Sequence, residues 1–139
     1  MGVRLSSEEA RKLFATSPVA RLATISAQAR PHLVPIVFVV SGEVIYTSVD
    51  AKPKTTTALR RLANIAANPA VTVLVDRYGD DWTQLWWARA DGDARLAEGA
   101  EAEAAIRRLT ARYPQYERQP PPGPVIAIDV ARWSGWSAR

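Results

Sequence analysis

Along this chain the apolar residues change their spacing several times, between the period of about two that marks a strand and the period of about 3.6 that marks a helix. Ala10, Leu13 and Phe14 fall on one helical face, and Ser6 and Glu9 stand ahead of them as a capping-box pair. The pattern predicts a short helix that ends before Pro18. VARLATIS (19–26) alternates as a strand, AQARP (27–31) carries turn chemistry, and HLVPIVFVVS (32–41) reads as a second strand. Ser41 and Gly42 make a tight turn into EVIYTS (43–48), which predicts a hairpin. Pro35 lies inside the second strand, so that strand is at an edge, carries a bulge, or turns the missing N–H away from any partner.

The next apolar set, Leu59, Leu62, Ala63 and Ala66, has helical spacing, and Asn68-Pro69 stops it. AVTVLVDRY (70–78) is a strand and Gly79-Asp80-Asp81 a loop. Residues 82–99 read as one long bent strand or a strand pair, with Gly92 at a bulge. A further amphipathic helix from about Glu101 to Arg112 turns Ala105, Ile106 and Leu109 inward. YPQYERQPPPGP (113–124) is expected to be an extended linker, VIAIDVARW (125–133) a last strand, and SGWSAR a tail. The count is roughly six antiparallel strands and three short helices, with too few crossovers for a doubly wound parallel sheet. The expectation is a mainly β protein, an antiparallel barrel with helical excursions, formed as one domain over 1–139.

Charge adds one local feature. The net charge is +4, and residues 51–70 contain Lys52, Lys54, Arg60 and Arg61 but no acid, so the rest of the chain sums to zero. The same stretch holds Thr55, Thr56 and Thr57 where a strand hands over to a helix. A helix N-terminus with cations and hydroxyls beside it favours an anion; a solvated basic loop ahead of a surface helix is the plainer reading. There is no glycine-rich phosphate cradle, which argues against a nucleoside triphosphatase or Rossmann site. The local excess also differs from the cationic face of a nucleic-acid binder, and no aromatic residues interleave with it.

The chain has no cysteine, so disulfides, thiol catalysis and thiolate metal sites are excluded. His32 is its only histidine, which removes a histidine metal cluster; at the start of a strand it is a packed residue or a ligand contact. Of the five tryptophans, Trp86 and Trp87 are adjacent and on a strand must point to opposite faces. One can serve the core while the other lines a ligand groove or a subunit interface. The acid pairs Asp80-Asp81 and Asp91/Asp93 sit in turn contexts. With no protein-borne catalytic group evident, enzyme chemistry here would rest on a cofactor. No leader or membrane-length apolar run is present in the sequence, so the expectation is a cytoplasmic protein with no membrane partner.

Tyr46-Thr47, then Lys52, then RLANIAANPAV from Arg61 and GDARL from Gly92 resemble the FMN-binding split β-barrel proteins, the relatives of pyridoxamine 5′-phosphate oxidase. With PHLVP from Pro31 and WSGW from Trp133, the whole chain is similar to the PPOX-class enzymes that use the deazaflavin coenzyme F420. The resemblance implies a homodimer with two cofactors at the subunit interface. It places Lys52 and Arg61 on the cofactor phosphate, Thr47 and Ser48 at hydroxyl contacts, and the strand containing His32, Pro35 and Ile36 beside the ring. The intervening segment is longer here than in the oxidase, so Lys54 and Thr55 replace or supplement those ligands. Trp87 stands where the oxidase has a ring-side polar residue, a departure from pyridoxamine-phosphate oxidase activity. F420 carries a phosphodiester and an oligoglutamate tail, and an acid-free basic segment suits it. The resemblance thus implies an F420-dependent oxidoreductase that exchanges a hydride with a small organic acceptor. FMN as cofactor, or a non-catalytic F420 or flavin carrier, are the alternatives.

Overall fold

Both halves of the capping box form in the structure, a computed structural model that describes residues 2–49, 56–121 and 123–139, with no side-chain description for 56–59. Ser6 Oγ accepts from the Glu9 amide at 3.1 Å and the Ser6 amide donates to Glu9 Oε1 at 2.9 Å, which starts helix α1 (Ser7–Thr16). Strand β1 (Val3–Arg4) precedes it. After it come β2 (Ala20–Ile25), β3 (Pro31–Ile36), β4 (Val39–Ser41), β5 (Val44–Ser48), helix α2 (Thr56–Ala67) and β6 (Ala70–Arg77). A single 3₁₀ turn (Trp82–Gln84) leads into β7 (Trp86–Ala97), helix α3 (Gly99–Arg112), the one-turn α4 (Gln115–Arg118) and β8 (Val125–Ser137).

The strands form one antiparallel sheet in the order β3-β2-β6-β7-β8-β5-β4, with β1 on the far part of β8. Among the described residues the sheet curls into a half-barrel with three substantial helices, which is the barrel with helical excursions that the pattern predicts and the split form that the resemblance implies. β7 and β8 are its backbone, paired from Trp86↔Ser137 to Ala97↔Val125. Their register shifts between Asp91 and Gly92, so the bulge expected at Gly92 is present. A Cβ on Gly92 would lie 2.2 Å from the Asp129 carbonyl oxygen, and only glycine lets the two backbones close here.

Several elements differ from the sequence pattern. The strand read over 32–41 is two strands, because the backbone groups at Val37 and Phe38 bond to side chains instead of a ladder. Thr47 Oγ1 donates to the Val37 carbonyl at 2.8 Å, the Phe38 amide donates to the Tyr113 hydroxyl at 3.1 Å, and Arg112 donates to the Phe38 carbonyl at 2.7 Å. The Phe38 side chain then enters the core, edge-on to Phe14 at 6.0 Å. The segment 113–124 is not wholly extended: α4 forms ahead of the prolines and buries Tyr116. The residues read as a tail continue β8 to Ser137, since β7 and β1 supply partners for them. The buried side of α2 is also turned from the one read. Ala63 and Ala66 are exposed, whereas Ile65 is buried and Leu62 packs against it. The larger side chain sets the face.

The main core lies between the concave side of the sheet, α1 and α2, around Phe14, Leu22, Phe38, Val73 and Ile128. A second cluster, including Tyr46, Leu109 and Tyr116, fills the space under α3.

Candidate functional site

The β2–β3 turn is built by Ser26. Its hydroxyl accepts from the amides of Gln28 (3.2 Å) and Arg30 (3.1 Å), and Ala29 takes the positive φ of 60° that closes it. The turn leaves Gln28 and Arg30 exposed at the mouth of a cleft of about 460 Å³. Ser26, Gln28, Arg30, Pro31 and His32 line one side, and Arg60 and Asn64 of α2 the other. Arg60 and Asn64 share a helix face at i, i+4. Asn64 is buried and donates to Thr24 Oγ1 at 2.9 Å, which pins α2 to β2. Thr24 is the register partner of His32, so the helix, the strand and the imidazole meet at one point.

His32 is half-buried, and its Nδ1 is buried without a hydrogen-bond partner among the described residues. Burial first, and then the charges of Arg60 and Arg61, hold its pKa below the usual histidine value, so the ring is neutral near pH 7. Among the described lining residues there is no carboxylate. Hydroxyl, amide and guanidinium donors facing one cleft make a set that fits the phosphate of a nucleotide-like cofactor. A larger groove of about 600 Å³ beside α3, lined by Ala97, Ala102, Ile106 and Val125, has Glu103 and Arg107 on it but no such convergence.

The residues singled out from the sequence fall into distinct places. His32 lies in the cleft, and Arg61 is half-buried on α2 near it. Ile36 follows His32 on the inward side of β3 and is a core residue. Pro35 points outward on β3, the edge strand of the sheet, so the edge reading of that proline holds. Thr47 is 1% exposed and Ser48 is 5% exposed. Their hydroxyls are used internally, Thr47 on the Val37 carbonyl and Ser48 on the Pro124 carbonyl at 3.3 Å. Trp86 packs on the core, and Trp87 faces the opposite side of the sheet, as adjacent strand residues must. There the Arg89 guanidinium stands 5.3 Å from the Trp87 ring centroid, and Arg89 in turn contacts Asp91 at 3.3 Å. Lys52, Lys54 and Thr55 lie outside the described residues. Arg30, Gln28 and Asn64 were not singled out. The signal for Asn64 was available, as a polar residue one turn from Arg60 in the otherwise apolar second half of the helix.

An antiparallel half-barrel with a basic cleft between the β2–β3 turn and α2 is a split-barrel architecture. The chain belongs to the pyridoxamine 5′-phosphate oxidase family, whose model matches residues 6–137. Solved structures share the fold at low identity. A FAD-binding protein from Mesorhizobium loti is 21% identical with a TM-score of 0.74, over 98% of this chain and 96% of that one. A conserved hypothetical protein from Mycobacterium tuberculosis is 22% identical with a TM-score of 0.75, over 97% and 86%. A FAD-binding protein from Mycobacterium smegmatis is 20% identical with a TM-score of 0.66, over 96% and 95%. No curated protein sequence matches this one. Among the described residues no helix is long and apolar enough to cross a membrane.

Proposed function

We propose that the protein is an F420-dependent oxidoreductase that moves a hydride between the deazaflavin and a small organic acceptor. The observation that carries this reading is the basic cleft: Arg30 and Arg60 converge on it from two elements, Arg61 stands close by, and no described carboxylate lines it. Lys52 and Lys54 precede the same helix in sequence, so the cationic run is longer than one phosphate requires. A cofactor with a phosphodiester and an oligoglutamate tail fits such a run better than one with a single phosphate. In this reading Lys52, Lys54, Thr55, Arg60 and Arg61 hold the anionic end, and His32 and the backbone of 32–36 border the ring. When bound, the deazaflavin supplies the carbon that gives or takes the hydride. The protein binds and orients it and keeps water from the reacting face.

Trp87 and the cleft lie on different sides of the sheet, so a ring-side role for Trp87 requires a second copy of the chain. We accordingly place the site at a homodimer interface. A flavin nucleotide, FMN or FAD, is the second reading, and it is favoured by the similar structures described as FAD-binding. Quenching of tryptophan fluorescence in titrations with F420, FMN and FAD separates the two. The expected order places F420 tightest; equal or tighter flavin binding moves the assignment to the flavin, and binding of none of them removes both.

A further inference from the structure

Three features of the cleft do not follow from packing. Arg30 and Arg60 come from separate elements, and among the described residues neither has a carboxylate partner. The nearest buried polar groups, Asn64 and Thr24, are bonded to each other. That leaves the imidazole of His32 facing cations with a buried ring nitrogen that has no partner among the described residues. We propose that the cleft is a proton-coupled oxyanion subsite: a phosphate- or sulfate-type group binds against Arg30 and Arg60, and His32 takes up one proton from solvent as it does. This deepens the cofactor reading and rests on its placing an anion here, though not on which cofactor brings it.

The charges around His32 set the direction. The turn contributes Arg30, and α2 contributes Arg60 and Arg61. Thr24 and Ser26 of the β2 side, Gln28 and Asn64 are neutral, and no described acid faces the ring. Without an anion, burial and the two α2 arginines favour the neutral imidazole. A bound oxyanion offsets those cations and places a counter-charge near the ring, so the imidazolium becomes the favoured form. Affinity therefore rises as pH falls through the bound-state pKa and levels off below the free-state pKa. Between the two, each binding event draws one proton.

His32 is the only histidine, so its ring-proton NMR signal can be followed through a pH titration without assignment. Sulfate is the probe, because its own charge stays constant over the range, and chloride at equal ionic strength is the control. The expected midpoint in chloride is below the ordinary 6.5. Saturating sulfate is expected to raise it by roughly one to three units, as an opposite charge close to the ring does. Arg60→Ala should lose most of that rise, and His32→Gln should bind sulfate with an affinity that no longer increases toward low pH. An unchanged midpoint in sulfate, or a rise that Arg60→Ala leaves intact, overturns the proposal. The F420 titration is a separate arm. If F420 fails to bind while the sulfate-linked shift persists, the cofactor reading falls and this one stands. If F420 binds and sulfate leaves the His32 midpoint unmoved, the reverse holds.

Discussion

Arg60 and Arg61 are neighbours in sequence, yet they make different experiments. Arg60 is exposed on the cleft, so truncating it removes the proposed ligand contact and little else. Arg60→Ala is expected to weaken cofactor binding about ten- to a hundred-fold, the loss of one charge-assisted hydrogen bond of about 1.5–3 kcal/mol. Stability should change by no more than about 0.5 kcal/mol. Lys12→Ala, at an exposed position of α1 and far from the cleft in sequence, is the control of equal charge; equal binding by both variants sinks the role of Arg60. Arg61 is half-buried and already has an interaction within the protein, so Arg61→Ala mixes folding with binding. Thr24→Val tests the pin between helix and sheet. It leaves the buried Asn64 amide without its acceptor and is expected to cost about 1–3 kcal/mol in denaturant unfolding. The sequence made Arg60 and Arg61 visible as charges but could not say which one faced outward. That depends on Ile65 and Asn64 fixing the rotation of α2 against β2, a tertiary choice that the alanines at Ala63 and Ala66 disguised.

Helices and hairpins written in local chemistry were legible, as the capping box of α1 and the turn after Ser41 illustrate. Elements that depend on distant partners were not. β8 runs on to Ser137 because β7 and β1 are there to pair with it, and the break at Val37–Phe38 exists because α3 brings Arg112 and Tyr113 to that backbone. The bulge was readable because glycine marks it. Gly92→Ala drives a methyl group against the Asp129 carbonyl, and the expected loss is about 1–3 kcal/mol or more, read as a lower denaturant midpoint. α3 is held on the sheet by Arg95, which donates to Glu101 (2.7 and 2.9 Å) and to Asp129 (2.7 and 3.1 Å), while the Tyr46 hydroxyl donates to Glu101 at 2.7 Å. The Arg95 bonds first, and the Tyr46 bond second, lower the Glu101 pKa from 4.5 to about 2. A depressed carboxylate adds stability that is complete above its unfolded pKa and is lost as pH falls through the folded one. Stability of the native protein should therefore decline between about pH 4.5 and about pH 2 more steeply than that of Glu101→Gln. Parallel acid profiles for the two proteins would show that the clamp contributes nothing to the pH dependence.

At the scale of the whole molecule, the two sides of the sheet differ in how they are covered. The concave side is filled by α1, α2 and the core, whereas on the outer side α3 covers the β4, β5 and adjoining β8 end, and Ile25, Leu33, Leu74, Trp87 and Trp136 lie under no helix among the described residues. Leu33 is 66% exposed and Ile25 37% exposed, on the same face as half-buried Trp87 and Trp136, which pair in register. Thr72, Asp91 and Arg89 bond to one another on that face, so its polar part is already internally satisfied, as an interface centre requires. Apolar area of this kind on a sheet face marks a contact surface. The occupant we propose is a second copy of the chain, which would also bring Trp87 toward the other copy's cleft. Leu33→Lys places a charge on that face where the side chain is open to solvent, so the fold should be retained while association is lost. Light scattering at micromolar concentration is expected to give a dimer for the native protein and a monomer for Leu33→Lys. If the site is shared, the variant should also bind cofactor more weakly although no cleft residue has changed. A native monomer removes the shared site, and a monomeric variant with undiminished affinity confines the cofactor to one chain.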